Sequence, residues 1–403
     1  MWSLLAFTAC YSPHTTNNGN TDGAPARQLD DTGNDGGQKD MATRPPPTLP
    51  TCIGTPLPLL QSGERTYVTI NFTGTGGQAD LGPVDASIGS GDSIDGSFLI
   101  DFGATQSTID LGAFQPQKPV PLSCQGDPSK LGAYCSFGAF DFFGSWGAVT
   151  LITEDYSFLY NSVRQAGILG TDFLSVFPFT LDYVGVQNGG VSVYNPQIWK
   201  STTDAFCTDG ELIGAGYTPL PTDGFYTNDF KNLRPLSDVL VSSDPTKTDH
   251  LTVPNVPTVP VTIVGIHALA QLDTGYDDRI YRHSINVNQA LLDLLLKQSP
   301  VQITRDMTKD LYLTTCVPGL SQAGEAYLFN ASDEVDFLTA TGTVGRRDNG
   351  YILFVKQTIE AATACGGIET WTVPAAQFGA SFLVDAQAAM FDPKSSRVWL
   401  PIQ

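Results

Sequence analysis

Two carboxylates in this chain sit where a carboxylate could do chemistry. Asp101 closes the apolar run Phe98-Leu99-Ile100 and is followed by Phe102 and Gly103. Asp273 closes Leu269-Ala270-Gln271-Leu272 and is followed by Thr274 and Gly275. A single Asp-x-Gly is ordinary turn chemistry, because both residue types favour turns. Two copies invite another reading. Like charges repel strongly at short range, so two carboxyls brought together share a proton and titrate in separate steps. Such a pair supplies a base to activate water and an acid to polarise a peptide carbonyl. The glycines would let the turns be tight and bring amides close to the carboxylates. On this reading Asp101 and Asp273 are a catalytic dyad, and the sequence does not say which holds the proton. No Ser-His or Cys-His arrangement competes, so no covalent intermediate is called for. No cofactor is expected. The four histidines (His14, His250, His267 and His283) are not spaced like zinc ligands and no C-x-x-C occurs, so no metal site is expected either.

The elements around the two motifs repeat. Tyr67-Val68-Thr69-Ile70 precedes the first aspartate and Val261-Thr262-Ile263 the second, and both predict strands by alternation and β-branching. Downstream, Gly167-Ile168-Leu169-Gly170-Thr171-Asp172-Phe173-Leu174 is echoed by Gln377-Phe378-Gly379-Ala380-Ser381-Phe382-Leu383. Each echo is followed by a closing strand, Val191 to Tyr194 in the first half and Arg397 to Leu400 in the second. The leucine-dense stretch Asn288 to Lys297 predicts the best helix, packed on the outside of the second half.

In these motifs the chain resembles the aspartic peptidases of the pepsin and retropepsin type, over roughly residues 55 to 403. VTIVGIHALAQLDTGYDD is similar to a retropepsin active-site strand, and FGASFLVDAQAAMFDPKSSRVWL to the C-terminal end of a pepsin. The resemblance implies an all-β fold of two lobes related by a pseudo-twofold, with residues 51–200 forming one and 201–403 the other. It places a substrate cleft between them. Asp101 and Asp273 would be catalytic, and Gly103, Thr105, Thr274 and Gly275 would support their loops. Thr274 fits the family's bracing threonine. Phe102 occupies the other bracing position and has no hydroxyl to brace with. Ala104 follows in place of a small hydroxyl residue, as retropepsins allow. Tyr276 stands where a small residue is usual, so it is expected either to crowd the cleft or to offer a phenol to substrate. Asp277 and Asp278 match the retroviral acidic pair, with Arg279 after them. A flap is expected from the first lobe. Phe143-Gly144 is the first candidate for its tip and Trp146 the second; the other reading of this stretch is a core hairpin.

The bulk numbers agree with such a protein. A chain of 403 residues with 41% hydrophobic and 15% charged residues can bury more than one core. Forty glycines and 27 prolines predict many turns and few long helices. The net charge of -20 opposes binding to nucleic acid or anionic lipid. It suits either work in acid or simple solubility.

The first ten residues, MWSLLAFTAC, form a short apolar run with small residues before Cys10. They resemble a bacterial lipoprotein signal, which makes Cys10 the candidate for lipidation and a lipid anchor the only expected membrane contact. The run is too short to span a bilayer. Residues 11–50 read as a flexible polar tether ending in Pro45-Pro46-Pro47. The tether is too polar to fill a cleft, so activity without trimming is expected. An exported chain keeps its remaining six cysteines as disulfides. Six cysteines allow fifteen pairings. Cys124 with Cys135 is the natural local pair; Cys316 with Cys365 and Cys52 with Cys207 would complete the set.

The sequence therefore predicts an exported monomeric aspartic endopeptidase acting on peptide or protein substrates. Phe102 and Tyr276 motivate an alternative, a catalytically impaired peptide-binding protein on the same fold. A third reading, a β-rich surface protein whose Asp-x-Gly sequences are mere turns, predicts that Asp101 and Asp273 lie apart.

Overall fold

A computed structural model describes residues 47–72, 94–114, 117–138, 140–157, 163–183, 185–188, 191–222, 225, 256–276, 284–298, 303–314, 321–329, 335–348, 353–356, 368, 371 and 373–402. Cys10, the tether up to residue 46, Asp277 to Arg279, Cys316 and Cys365 lie outside the described residues. Among the described residues the molecule is mostly β, with several sheets and few, short helices.

The alternation seen in the sequence builds a pair of strands before each aspartate. Arg65–Phe72 runs antiparallel to Ile94–Ile100, with Tyr67 opposite Leu99. Thr258–Ile263 runs antiparallel to Ile266–Leu272. The turn between the latter two is Val264-Gly265, both at positive φ, the backbone that a tight antiparallel hairpin requires. Each strand that ends in an aspartate then pairs in parallel with the strand that ends before a glycine. Ile100 lies opposite Leu169 of Gln165–Leu169, and Leu272 lies opposite Phe378 of Ala375–Phe378. The central strands are buried on both faces, as expected of apolar runs in a parallel pairing. Residues 60–169 supply one nine-stranded sheet and residues 258–378 a ten-stranded one.

A six-stranded sheet draws on both halves. Its order is Thr55–Pro58, Gln197–Lys200, Phe179–Asp182, Ala388–Asp392, Arg397–Pro401 and Tyr217–Pro221. The order is palindromic by half: first-half strands fill one side and second-half strands the other. They meet where Phe179 faces Phe391 and Leu181 faces Ala389. Val191–Tyr194 is indeed a strand, but it folds back on Gly185–Asn188 as a separate ribbon. The first-half partner in the shared sheet is Gln197–Lys200, so the closing strand lies one element later than the sequence suggested. Arg397–Pro401 is found where expected.

The leucine-dense helix is Gln289–Gln298, with Leu291, Leu292 and Leu295 buried and Leu294 and Leu296 exposed. Asn288 ties it to the body, accepting from the Leu291 and Ala375 N–H groups and donating to the Val373 carbonyl. Among the described residues two disulfides are present, Cys52–Cys207 and Cys124–Cys135, both among the expected pairs. The first lies beside the apolar cluster of Ile53, Leu212, Tyr217, Met390 and Trp399 at the six-stranded sheet. Disulfides form in oxidising compartments, which agrees with export. Among the described residues no helix is long and apolar enough to cross a membrane.

Candidate active site

Backbone geometry sets the two aspartates in matching positions. The Asp101 N–H donates to the Leu169 carbonyl at 3.0 Å, and the Asp273 N–H to the Phe378 carbonyl at 2.9 Å. Three residues on, the Ala104 carbonyl accepts from the Thr171 N–H at 2.8 Å, and the Tyr276 carbonyl from the Ala380 N–H at 2.9 Å. In each half, then, the loop after the aspartate hangs on the strand and helix start around Gly170 or Gly379.

The two loops meet face to face. A methyl group built on Gly103 would lie 2.3–2.5 Å from the Asp273 carboxyl, and one on Gly275 would lie 2.4–2.8 Å from the Asp101 carboxyl. Each glycine is therefore needed to let the opposite carboxylate in, a sharper requirement than tightness of its own turn. Both aspartates are fully buried. Asp101 Oδ1 accepts the Gly103 N–H at 2.7 Å, and Asp273 Oδ1 accepts the N–H groups of Gly275 at 2.9 Å and Tyr276 at 3.0 Å. Burial, and next the charge of Asp273, hold the Asp101 carboxyl well above the usual carboxylate range, against the pull of the Gly103 and Ala104 N–H groups. Asp101 Oδ2 has no N–H or hydroxyl partner; its neighbour is the other carboxyl, the setting in which one proton is shared. Independent turns would have no reason to converge in this way.

Thr274 grips the opposite loop. Its Oγ1 accepts the Phe102 N–H at 2.9 Å and donates to the Ile100 carbonyl at 2.7 Å. Gln271 adds a second crossing, from Nε2 to the Gly103 carbonyl at 3.3 Å. The first loop is thus braced despite Phe102, because the bond is made to its backbone. The Phe102 ring is fully buried and stacks on Phe391, with centroids 3.7 Å apart and planes 8° apart. Thr105 supports its loop through the backbone, its carbonyl accepting the Asp172 N–H at 3.1 Å. Beneath it, Ser107 donates its N–H and Oγ–H to the Asp172 carboxylate at 2.9 and 2.7 Å. Burial pushes the Asp172 carboxyl up to about 6 in spite of these donors.

Tyr276 departs from expectation. Its side chain neither crowds a cleft nor presents a phenol outward: it is 2% exposed, and its ring fills the space a Gly379 Cβ would need. Its hydroxyl points to Asn286 Oδ1 at 3.4 Å. Asn286 Nδ2 donates to Gln377 Oε1 at 2.6 Å, and Gln377 Nε2 donates to Asp273 Oδ2 at 2.6 Å. Asn286 and Gln377 were missed in the sequence. A polar residue two places before Gly379, where the first half has Ile168, was the available signal.

Phe143 and Gly144 form a turn, at φ 56° and 111°, between Phe140–Asp141 and Val149–Thr153. The aromatics beside that turn face the body: Phe142 is buried, and Trp146 lies 4.2 Å from Phe173 and 5.5 Å from Phe177. The tip itself, Gly144 and Ser145 with Gly147, is exposed, and Phe143 and Trp146 are half-buried. A second hairpin, Ser123–Gln125 with Tyr134–Phe137, is held by Cys124–Cys135 at the edge of the nine-stranded sheet and leaves Leu122 and Leu131 exposed. No group of histidine, cysteine and acidic side chains suited to a metal ion occurs among the described residues. Comparison of the sequence with protein-family models and with curated proteins finds no match.

Proposed function

We propose that this protein is an aspartic endopeptidase of pepsin-like, two-lobed architecture, with Asp101 and Asp273 as its catalytic pair. The reading rests on one observation: two aspartates 172 positions apart in the chain lie carboxyl against carboxyl, each admitted by the other loop's glycine. In the reaction, the ionised carboxylate takes a proton from a water held between the two. The oxygen attacks the scissile carbonyl while the protonated carboxyl donates to the carbonyl oxygen. The tetrahedral intermediate then collapses, breaking the C–N bond as a proton passes to the amine. The six-stranded sheet and the Thr274 grip keep the two carboxyls at fixed separation, which this chemistry requires.

Export, with or without a lipid on Cys10, and a peptide or protein substrate belong to the same proposal. The full burial of both aspartates favours one competing reading, a cleft that binds peptide without cleaving it.

Cleavage of a mixed peptide library from about pH 3 to about pH 7 tests the choice. Activity in acid that falls by about 10²–10⁴-fold or more in both Asp101→Asn and Asp273→Asn supports the peptidase. A folded protein that captures peptides and leaves them intact at every pH supports the binding reading.

A further inference from the structure

The two carboxyls are not equivalent, and the difference comes from a chain of uncharged side chains under one of them. Tyr276 O–H, Asn286, Gln377 and Asp273 form a line in which the amides are set to donate toward Asp273. A phenol facing an amide oxygen donates to it. Asn286 then has its Nδ2 toward Gln377, whose Oε1 accepts, leaving the Gln377 Nε2–H₂ aimed at Asp273 Oδ2. Turning one amide alone would set oxygen against oxygen at 2.6 Å, and turning both would require the proton on Asp273, the arrangement that the titration below distinguishes. The line is buried throughout: Tyr276 is 2% exposed, Asn286 0% and Gln377 1%.

From this geometry we infer that Gln377 is a positioning residue that fixes Asp273 as the ionised member of the pair, leaving the shared proton on Asp101. Asp273 receives N–H donors on both oxygens, from Gly275 and Tyr276 on Oδ1 and from Gln377 on Oδ2. Asp101 receives backbone N–H groups of its own loop on one side, and its other oxygen faces the partner carboxyl. The residue that corresponds to Gln377 in the first half is Ile168, which has nothing to donate. Donors aimed at a carboxylate stabilise its charged form, and charge-assisted bonds in a buried site are the strong ones. Among the described residues, the ionisable groups facing Asp273 include Asp101 from the opposite loop and, through Asn286, Tyr276 from its own. The strands Ile266–Leu272, Ser284–Val287 and Ala375–Phe378 beneath it present Gln271, Asn286 and Gln377, all uncharged; His267 is exposed at the far end of its strand.

The order of ionisation is a property of the folded protein. Its catalytic meaning, Asp273 as base toward water and Asp101 as acid toward the carbonyl, rests on the peptidase reading. Titration of the full chain with the aspartate side-chain carbons labelled, followed by carbon NMR, separates the two. The expected result is that Asp273 loses its proton in the lower step and Asp101 in the upper. In Gln377→Met, which keeps the bulk and removes the donor, the lower step moves up by about one pH unit. If the protein cleaves peptides, the acidic limb of its kcat/KM profile moves with it. Ionisation of Asp101 first in the unaltered protein overturns the inference, whether or not Gln377→Met folds. An unchanged lower step in a folded Gln377→Met overturns it too. A protein that titrates in the expected order but cleaves nothing sinks the peptidase reading and leaves the assignment standing.

Discussion

The loop at Asp101 and the loop at Asp273 have the same backbone and opposite means of support. The second loop is polar: Thr274 and Gln271 reach across to the first, and Gln377, Asn286 and Tyr276 form a line of amides and a phenol beneath the aspartate. The first loop reaches back with a ring, Phe102 on Phe391, and rests on an ionisable group, Asp172. A threonine at position 102 as well as 274 would make the grip symmetrical. Here one side holds by hydrogen bonds and the other by apolar contact. A pseudo-symmetric backbone fixes where the carboxyls go, while the side chains under each loop remain free to make the two acids different.

The apolar half of the grip is the part whose loss should cost most. Phe102→Ala removes a buried stacked ring and should destabilise the fold by about 3–5 kcal/mol, read as a lower urea midpoint. A loss below about 1 kcal/mol would mean that the ring fills space without holding the loops.

Next comes the ionisable support of the first loop. The Asp172 carboxyl is raised by burial from 3.8 to about 6 in the folded protein. A raised carboxyl binds its proton more tightly when folded, so its contribution is fully present below about pH 4 and is lost as pH rises through about 6. Stability should therefore increase from neutral pH down to about pH 4, by up to about 3 kcal/mol from this group. Asp101, and Glu154 at about 7, are also raised by burial and act in the same direction. Asp172→Asn should flatten the dependence without removing it. An unchanged slope in that variant would show that the first loop's support is indifferent to pH and erase this part of the contrast.

The polar half of the grip is smaller. Thr274→Val leaves the Phe102 N–H and the Ile100 carbonyl without their shared partner and should cost about 1–3 kcal/mol. Amide exchange at Phe102 sharpens the test, since it should accelerate more than exchange at Asp273, which bonds to its own sheet.

Much of this was legible in the sequence. The paired Asp-x-Gly motifs, the strands before them and the glycines after Leu169 and Phe378 follow from periodicity and from residue types that only certain backbones accept. Two of the expected disulfides are present as well. What the sequence hid depends on neighbours distant in the chain. Tyr276 looked like an obstruction because its position favours small residues; it fits because Gly379, 103 positions later, leaves room for the ring. Phe102 looked like a missing brace, yet the opposite threonine bonds to its backbone. Val191–Tyr194 alternates as a strand should and Gln197–Lys200 does not, yet it is the latter that enters the shared sheet, because pairing partners cannot be read from alternation alone.

The six-stranded sheet has a consequence for how the protein is made. Its strands come from residues as early as Thr55 and as late as Pro401, and the central pairing needs Ala388–Asp392. Phe102 finds its stacking partner, and Asp273 its amide donor, in the last thirty or so positions of this sequence. Until those strands have been made, the first aspartate is present but the sheet that sets the two loops together cannot form. Any chemistry the pair performs is thereby withheld until these strands have been made, and a product that stops short of them is inert without the need for an inhibitor.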